Sequence, residues 1–284
     1  MPPAPGGRIE GGRRLRGILK SSEPGRPLIT VITVVFNRVR HLQRAIESVL
    51  SQSYENIEYI IIDGGSTDGT LDVIRKFDDS IDYWLSEADA GIYNAMNKGI
   101  RLCSGEIIGL LNADDFYFPS SGEEVVSSYN YSGSGIYYGK QMNFIEYEDF
   151  CYFAVARPDL SRMFEKPSIF HPACFVHNEV YKRVGLFDEG YKVIADYDFL
   201  LRCLESEVPF FLIDKTLTGF RSGGASGSVK IWLESYRLLR EHPKHLCPRR
   251  RVTLMIIIGL LKRWSAKIIN YERRLYLKRK EVSY

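Results

Sequence analysis

Apolar runs rich in β-branched residues alternate with helix-like segments along the first part of this chain. This alternation constrains the fold more than any other feature. Strand-like runs cover residues 28–36, 57–63, 81–86 and 106–111, and helices are predicted over 40–52, 70–77 and 92–103. Buried strands that alternate with helices build βαβ units. We therefore predict an α/β fold, a Rossmann-like and mostly parallel sheet flanked by helices.

Polar segments follow three of the predicted strands at the points where they end, after Phe36, Ile62 and Leu111. The carboxyl ends of parallel strands lie at one edge of a sheet, and ligands of open α/β sheets bind outside that edge. We therefore expect these three segments to meet and to form a site.

The chain is expected to divide into three parts. Residues 1–26 contain Pro, Gly and six Arg or Lys but no apolar stretch, which predicts a flexible basic tail and not a signal peptide. Residues 27–228 should form the α/β domain, with halves at 27–118 and 119–228. The second half is less regular, with short strands near 135–138, 150–154 and 210–212 and a helix over 196–205. Residues 229–284 are predicted to form a helical extension.

The charge of the chain is unevenly distributed. Residues 249–284 carry eleven Lys or Arg against two Glu, whereas residues 27–248 carry an excess of Asp and Glu. This acidic body argues against nucleic acid as a partner, because a nucleic-acid-binding domain presents a basic face. The five cysteines show no C-x-x-C spacing, which argues against a zinc ribbon or a disulfide framework and favours a cytoplasmic location.

A ten-residue apolar run, 252–261, lies within the basic C-terminal segment. A membrane-spanning helix needs about 20 apolar residues. An interfacial helix in peripheral contact with the inner face of the cytoplasmic membrane therefore fits better than a spanning one. A core helix or a homodimer-forming helix with a solvated basic face explains the same pattern, and both interpretations stay open.

Four groups of acidic and amide side chains are candidates for chemistry: residues 63–70 (DGGSTDGT), 87–99 (EADAGIYNAMNKG), 112–115 (NADD) and 195–198 (ADYD). Adjacent carboxylates at a strand end are costly unless a positive charge compensates them. A Mg²⁺ or Mn²⁺ ion on a diphosphate supplies that charge and needs only one or two protein carboxylates. A carboxylate at a helix start can act as a general base. Turn and helix-cap chemistry explains each group when it is taken alone.

His171 and His177 flank a strand-like stretch. His171 is a weak candidate for a substrate pocket or for the metal edge, and a hydrogen-bonded structural histidine is the simpler interpretation.

Taken in this order, the four groups resemble the sequence pattern of the family 2 glycosyltransferases, which have the GT-A fold. The resemblance covers about residues 28–228 and is closest to the bacterial exopolysaccharide and colanic-acid type, whose pattern is similar to residues 87–99 followed by 110–115. It implies an enzyme that takes one sugar from a UDP-, GDP- or dTDP-sugar and uses Mn²⁺ or Mg²⁺. The acceptor would be a saccharide or a lipid-linked saccharide.

The resemblance also implies roles for individual residues. Those implied to bind the nucleotide-sugar donor are Thr33, Val35, Asn37, Asp63, Ser66, Asp89, Asn97, Lys98, Asn112, Ala113 and Arg221. Asp114, together with Asp115, would hold the metal. Asp196 would be the base that deprotonates an acceptor hydroxyl, and a single displacement would invert the anomeric configuration. Because Ala195 replaces the Glu of the family pattern, Asp198 remains the alternative base.

Other functions remain to be separated from this one. A polyprenyl-phosphate glycosyltransferase has the same fold but a lipid phosphate as its acceptor. A non-catalytic GT-A scaffold or binding module would require a broken acidic site. A sugar-1-phosphate nucleotidyltransferase normally has a glycine-rich basic loop after the first strand, and residues 36–41 contain no glycine.

Overall fold

The computed structural model describes residues 7–129, 134–146 and 151–222, together with 234–235, 237–238 and 241–242. The chain divides into two compact units, Met1–Ile231 and Trp232–Tyr284. All strands and helices discussed below belong to the first unit. The predicted helical extension over 229–284 lies outside the described residues apart from 234–235, 237–238 and 241–242. Within the described ranges, no helix combines the length and the apolar character needed to cross a bilayer.

The first unit contains ten strands and six α-helices within its described residues. The strands are β1 (Ile9–Gly11), β2 (Ile29–Val35), β3 (Ile57–Asp63), β4 (Tyr83–Ser86), β5 (Ile107–Asn112), β6 (Phe116–Tyr117), β7 (Ile136–Glu146), β8 (Cys151–Ala156), β9 (Cys174–His177) and β10 (Phe210–Arg221). The helices are α1 (Val39–Leu50), α2 (Thr70–Lys76), α3 (Ile92–Leu102), α4 (Ser121–Ser128), α5 (Asn178–Val184) and α6 (Ala195–Glu205). The predicted elements of the first half are all present, with ends shifted by one or two residues.

One sheet runs through the unit in the order β1-β4-β3-β2-β5-β9-β7-β10-β6, and β8 pairs with β7. Strands β4, β3, β2 and β5 are parallel to one another. Every residue of β2 and β3 is buried, as expected for strands covered by helices on both faces. In the register of the sheet, Val35 lies opposite Asp63, and Asp63 lies opposite Ser86. The ends of these strands are therefore aligned at one edge.

Helix α1 buries one apolar face, whereas its last residue, Leu50, is exposed. In α1 the buried residues are Leu42, Ala45, Ile46 and Val49, and they belong to the main hydrophobic core. Helix α3 packs closely on the sheet at Gly99, where a Cβ would lie 2.4 Å from Cγ2 of Ile32.

The second half is mixed, and two of its strands are longer than predicted. The apolar runs 135–138 and 210–212 only begin β7 and β10, which continue to Glu146 and Arg221. The two strands pair in parallel, and the register shifts between Leu212 and Thr218. Polar residues such as Lys140 and Asp214 interrupt the apolar pattern there, so the sequence did not indicate the full length.

The prediction of a flexible tail over residues 1–26 is wrong for the described residues 7–26. Strand β1 pairs antiparallel with β4, and the following segment donates hydrogen bonds from Arg13 and Arg14 amides to Ile81 and Asp82. The Arg14 side chain pairs with Glu58 of β3, which is buried. Basic residues that suggested a solvated tail therefore neutralise carboxylates of the sheet.

Candidate active site

A cavity of about 680 Å³ opens at the carboxyl ends of β2 and β5. We call it the catalytic cavity. The predicted site residues on its wall are Val35, Asn37, Asp89, Asn112, Ala113, Asp114, His171, Asp196 and Arg221. Residues far apart in the chain thus meet at the edge that the strand pattern predicted.

The loops after β2 and β3 are held together by a chain of hydrogen bonds. Asn37 adopts a positive φ of 51°, and its amide donates to Ser66 Oγ at 2.8 Å. Ser66 Oγ in turn donates to Asp63 Oδ1 at 2.5 Å. Ser86 Oγ donates to Asp63 Oδ2 at 2.6 Å. The network fixes Asn37 on the cavity wall.

Asp63, Ser66 and Thr33 are not among the described residues that line the cavity, and their donor contacts stay a prediction. The Asp63 carboxylate is fully buried in the network just described. The hydroxyl of Thr33 accepts a hydrogen bond from Tyr59 at 3.0 Å inside the core. Residue type and position at a strand end did not reveal that these side chains point inward.

Asp89 reaches the cavity because the backbone next to it is glycine. A Cβ on Gly64 would lie 2.4 Å from Asp89 Oδ2, so a larger residue at position 64 would displace the carboxylate. Asp89 Oδ1 accepts the Gly91 amide at 2.8 Å. This bond holds the turn that precedes α3.

Asn97 and Lys98 stabilise loops and are not among the described residues that line the cavity, and their direct donor contacts stay a prediction. Asn97 donates to the Phe187 carbonyl and to Glu189, and it accepts the Phe187 amide. Lys98 pairs with Glu87 at 2.6 Å. Both side chains therefore brace the surroundings of the site.

The turn after β5 separates Asp114 from Asp115. Asp114 lines the cavity with 24% of its side chain exposed. Asp115 is buried and accepts hydrogen bonds from Asn112 Nδ2 and the Arg221 amide, both at 2.9 Å. Burial raises the pKa of Asp115 to about 7. Asp115 is not among the described residues that line the cavity, whereas Asp114 is, and the metal contact of Asp115 stays a prediction.

The oxygens of residues 112–114 suit a hard divalent cation. Asn112 Oδ1 is buried and has no hydrogen-bond partner among the described residues, and the Asp114 carboxylate is nearby in the chain. Within the described residues, no group of three His, Cys, Asp or Glu side chains is gathered as in a site formed by protein ligands alone. A Mg²⁺- or Mn²⁺-type ion that keeps one or two protein carboxylates and takes its other ligands from phosphates fits this arrangement.

Asp196 and Asp198 differ in their surroundings, although both lie in the first turn of α6. Asp196 lines the cavity and accepts one hydrogen bond from the Tyr93 hydroxyl at 3.0 Å. Burial raises the pKa of Tyr93, and the negative charge of Asp196 raises it further, so the phenol stays protonated and remains a hydrogen-bond donor. Asp198 is buried and pairs with Arg202 at 2.8 Å. This geometry favours Asp196 as a reactive carboxylate.

His171 also lines the cavity, in contrast to the simpler interpretation of a satisfied structural histidine. Its Nε2 is buried without a hydrogen-bond partner in the described part of the chain, and its ring packs edge-on against Phe187. Burial lowers the pKa of His171, while Asp196 acts in the opposite direction. A neutral imidazole therefore lies near the carboxylate of Asp196.

Several residues of the wall were not predicted. Arg38, Tyr93 and Lys192 line the cavity. Tyr93 lies inside the second sequence group, where its position before the asparagines could have drawn attention to it. Nothing in the local sequence distinguishes Arg38 or Lys192 from other surface cations.

Known proteins are similar to this chain in sequence and in fold. A PGL/p-HBAD biosynthesis glycosyltransferase of Mycobacterium tuberculosis is 27% identical over 253 residues, which cover 85% of this chain and 93% of that protein. The structure of S. aureus TarS matches with a TM-score of 0.59 at 14% identity, covering 81% of this chain and 43% of that one. The mannosyltransferase PcManGT from Pyrobaculum calidifontis, in complex with GDP-Man and Mn²⁺, matches with a TM-score of 0.59 at 17% identity. The match covers 82% of this chain and 69% of that one.

These likenesses confirm the predicted α/β architecture of the GT-A type. The family described as "Glycosyl transferase family 2" matches residues 30–184, which contain the cavity residues from Val35 to His171. The predicted exopolysaccharide and colanic-acid subtype stays a prediction. Together with the glycosyltransferase relatives, the match shows that this chain is an enzyme and belongs to glycosyltransferase family 2.

Proposed function

We propose that the chain transfers one sugar from a nucleotide-sugar donor to a hydroxyl of a saccharide or lipid-linked saccharide, with inversion at the anomeric carbon. One observation carries this proposal: Asp114 and Asp196, from distant parts of the sequence, line the same cavity. The nucleoside would lie against Val35, Asn37 and Asp89. The nucleotide sugar and metal in the PcManGT complex support this choice of ligands for the fold.

Asp196 would act as the general base. Its carboxylate would accept the proton of the attacking acceptor hydroxyl, while the hydrogen bond from Tyr93 keeps it oriented. The neutral ring of His171, beside Asp196, would bind the same hydroxyl or its neighbour. In a single displacement, the acceptor oxygen would bond to the anomeric carbon while the nucleoside diphosphate leaves from the opposite face, and Asp196 would hold the proton of the hydroxyl.

Asp114 and Asn112 would hold the divalent cation at the donor diphosphate. When bound, such a cation would offset the negative charge that develops on the leaving diphosphate. The remaining predictions, namely peripheral membrane contact through residues 249–284, a homodimer and a cytoplasmic location, concern residues or assemblies that the described part of the chain does not test.

Turnover assays can test the proposal. The purified chain would be incubated with UDP-, GDP- and dTDP-sugars and with saccharide or polyprenyl-linked acceptors, in Mn²⁺, in Mg²⁺ and in EDTA. We expect nucleoside diphosphate release and a new glycoside by mass spectrometry, both lost in Asp114→Ala and Asp196→Ala. Full turnover in both variants would contradict the proposal. Transfer only to polyprenyl phosphate would identify the alternative enzyme, and binding without transfer would identify a scaffold.

A further inference from the structure

A second cavity, of about 410 Å³, adjoins the catalytic cavity. We call it the basic cavity. Its charged and titratable residues are Arg38, Arg40, His41, Asp68, Asp114 and Arg221. Arg38, Asp114 and Arg221 line both cavities. Asp114 therefore forms part of the wall between the two.

Carboxylates of the described residues compensate the cations of the basic cavity only in part. Arg38 is half exposed and approaches Asp114 only at 3.9 Å. Arg40 is exposed and forms no ion pair with any residue that the structure describes. Asp68 forms no ion pair with these arginines within the described residues, and its carboxylate accepts the Val39 amide and both donors of Thr70. The charged residues that line the cavity are three arginines, Arg38, Arg40 and Arg221, against the two carboxylates of Asp68 and Asp114. The cavity thus keeps positive charge that is available to an anion.

Arg221 is held in position from the opposite side. Its guanidinium pairs with Glu146 and stacks on Phe144 with 5.1 Å to the ring centroid. Arg44 pairs with the same Glu146 at 2.6 Å. The Nε of Arg221 is buried and has no partner among the described residues. Arg221 is therefore a fixed cation on the wall of the basic cavity.

His41 completes the wall. Burial lowers the pKa of His41, and the positive charge of Arg221 lowers it further. Its ring stays neutral at physiological pH and can donate one hydrogen bond without adding a charge.

We propose that the basic cavity binds the diphosphate of the donor through Arg38 and Arg40, on the side of Asp114 away from Asp196. This inference rests on the proposed function. We assign the cavity to a phosphate of the donor and not to one of the acceptor, because it shares Asn37 and Asp114 with the part of the catalytic cavity proposed to bind the donor. The acceptor-side residues His171 and Asp196 are not among its described lining residues. The arginines then bind a nucleoside diphosphate even when no divalent cation is present.

Isothermal titration calorimetry of the full-length protein with UDP and GDP, first in EDTA and then in Mn²⁺, tests this inference. In EDTA, we expect Arg38→Gln to weaken binding about tenfold and Arg40→Gln about threefold, as for lost charge-assisted hydrogen bonds. Arg38→Lys keeps the charge and should recover part of the affinity. The matched control is Arg75→Gln, a half-exposed arginine of α2 that pairs with Asp72; it should change the affinity less than about twofold.

Salt dependence gives a second readout. Because part of the attraction comes from exposed charges, the affinity of the unaltered protein should fall with rising ionic strength more steeply than that of Arg38→Gln. Thermal unfolding of each variant shows that a change in affinity does not reflect a loss of folded protein.

Unchanged affinity for both nucleotides in Arg38→Gln and Arg40→Gln would overturn the inference. A rise in the KM of the acceptor alone would also overturn it, because the cavity would then hold an acceptor phosphate. A different result would contradict the proposed function and leave this inference standing. In that case the unaltered protein binds UDP or GDP through Arg38 in calorimetry but transfers no sugar from any nucleotide sugar in the turnover assay.

Discussion

Carboxylates of two regions of the sheet have opposite surroundings. Beneath the N-terminal segment, Glu58 accepts hydrogen bonds from Thr30 Oγ1 at 2.6 Å and from the Ser104 amide at 2.8 Å, and it pairs with Arg14. In the catalytic cavity, the contacts from described residues are fewer: Asp196 accepts one hydrogen bond, from Tyr93, and Asp114 approaches Arg38 at 3.9 Å.

The difference separates carboxylates that stabilise the fold from carboxylates that are available for ligand binding and catalysis. Glu58 is buried and its oxygens are satisfied by the protein, so it serves folding. No other described residue bonds the carboxylates of Asp114 and Asp196, so within the described part of the chain they keep oxygens for a ligand. A folded protein holds such groups only where the rest of the structure stabilises the site. Removing Glu58 should therefore lower stability, whereas removing Asp196 should lower turnover. The following variants test this contrast.

The largest expected effect is on catalysis at Asp196. Asp196→Asn removes the proposed base and should lower kcat by about 10²- to 10⁴-fold, while donor affinity by calorimetry stays near that of the unaltered protein. Asp198→Asn is the matched control on the same helix turn. Because Asp198 pairs with Arg202, this change should lower stability more than turnover. The reverse result would move the base to Asp198.

At Glu58 we expect a loss in the free energy of unfolding that is comparable in size to the rise in activation free energy at Asp196. Glu58→Ala leaves Arg14 and Thr30 without their partner and should lower the free energy of unfolding by about 3 kcal/mol. The kcat of the remaining folded enzyme should be unchanged. Urea unfolding and turnover per folded molecule measure the two quantities. A large fall in kcat with unchanged stability would erase the contrast between the two regions.

Asp115 belongs to the catalytic region in sequence but resembles Glu58 in burial, which predicts a pH effect on stability. Because its folded-state pKa is raised from near 4 to about 7, folding takes up a proton between these values. The stability that protonation provides is then lost as pH rises through 7. Asp115→Asn should flatten the pH profile of unfolding free energy by about 1–3 kcal/mol between pH 5 and 8.

Urea titrations in EDTA at several pH values would show this difference for Asp115→Asn. Parallel profiles for the variant and the unaltered protein would mean that the carboxyl ionises freely in the folded state.

The smallest effect is expected at Tyr93. Tyr93→Phe removes the hydrogen bond to Asp196 without removing the ring, so kcat should fall about five- to tenfold, as for one lost hydrogen bond. The KM for the donor should stay the same. Steady-state kinetics with the acceptor at saturation measures the change. An unchanged kcat would show that the carboxylate needs no fixing by the phenol.

Much of the fold was predictable because its signals are local. The buried strands β2, β3 and β5 and the amphipathic face of α1 follow from side-chain periodicity alone. The carboxyl edge of the sheet as the place of the site followed from the same alternation. Strands β7 and β10 were underestimated because their pairing with each other, and not their own apolar content, extends them.

The site was predictable in its location and less so in its details. Asp89, Asp114 and Asp196 line one cavity, as their order in the sequence suggested. The inward direction of Asp63, Asn97 and Asp115 depends on loop geometry that residue type does not encode. The role of Arg14 was missed because its partner, Glu58, lies far away in the sequence.

By itself, the sequence of this protein determined the α/β class, the parallel half of the sheet and the family, since these depend on periodicity and on ordered groups of residues. The tertiary structure alone decided which acids keep free oxygens and which are neutralised. The reason is physical: burial and distant partners set the state of a carboxylate, and both arise only when the chain is folded.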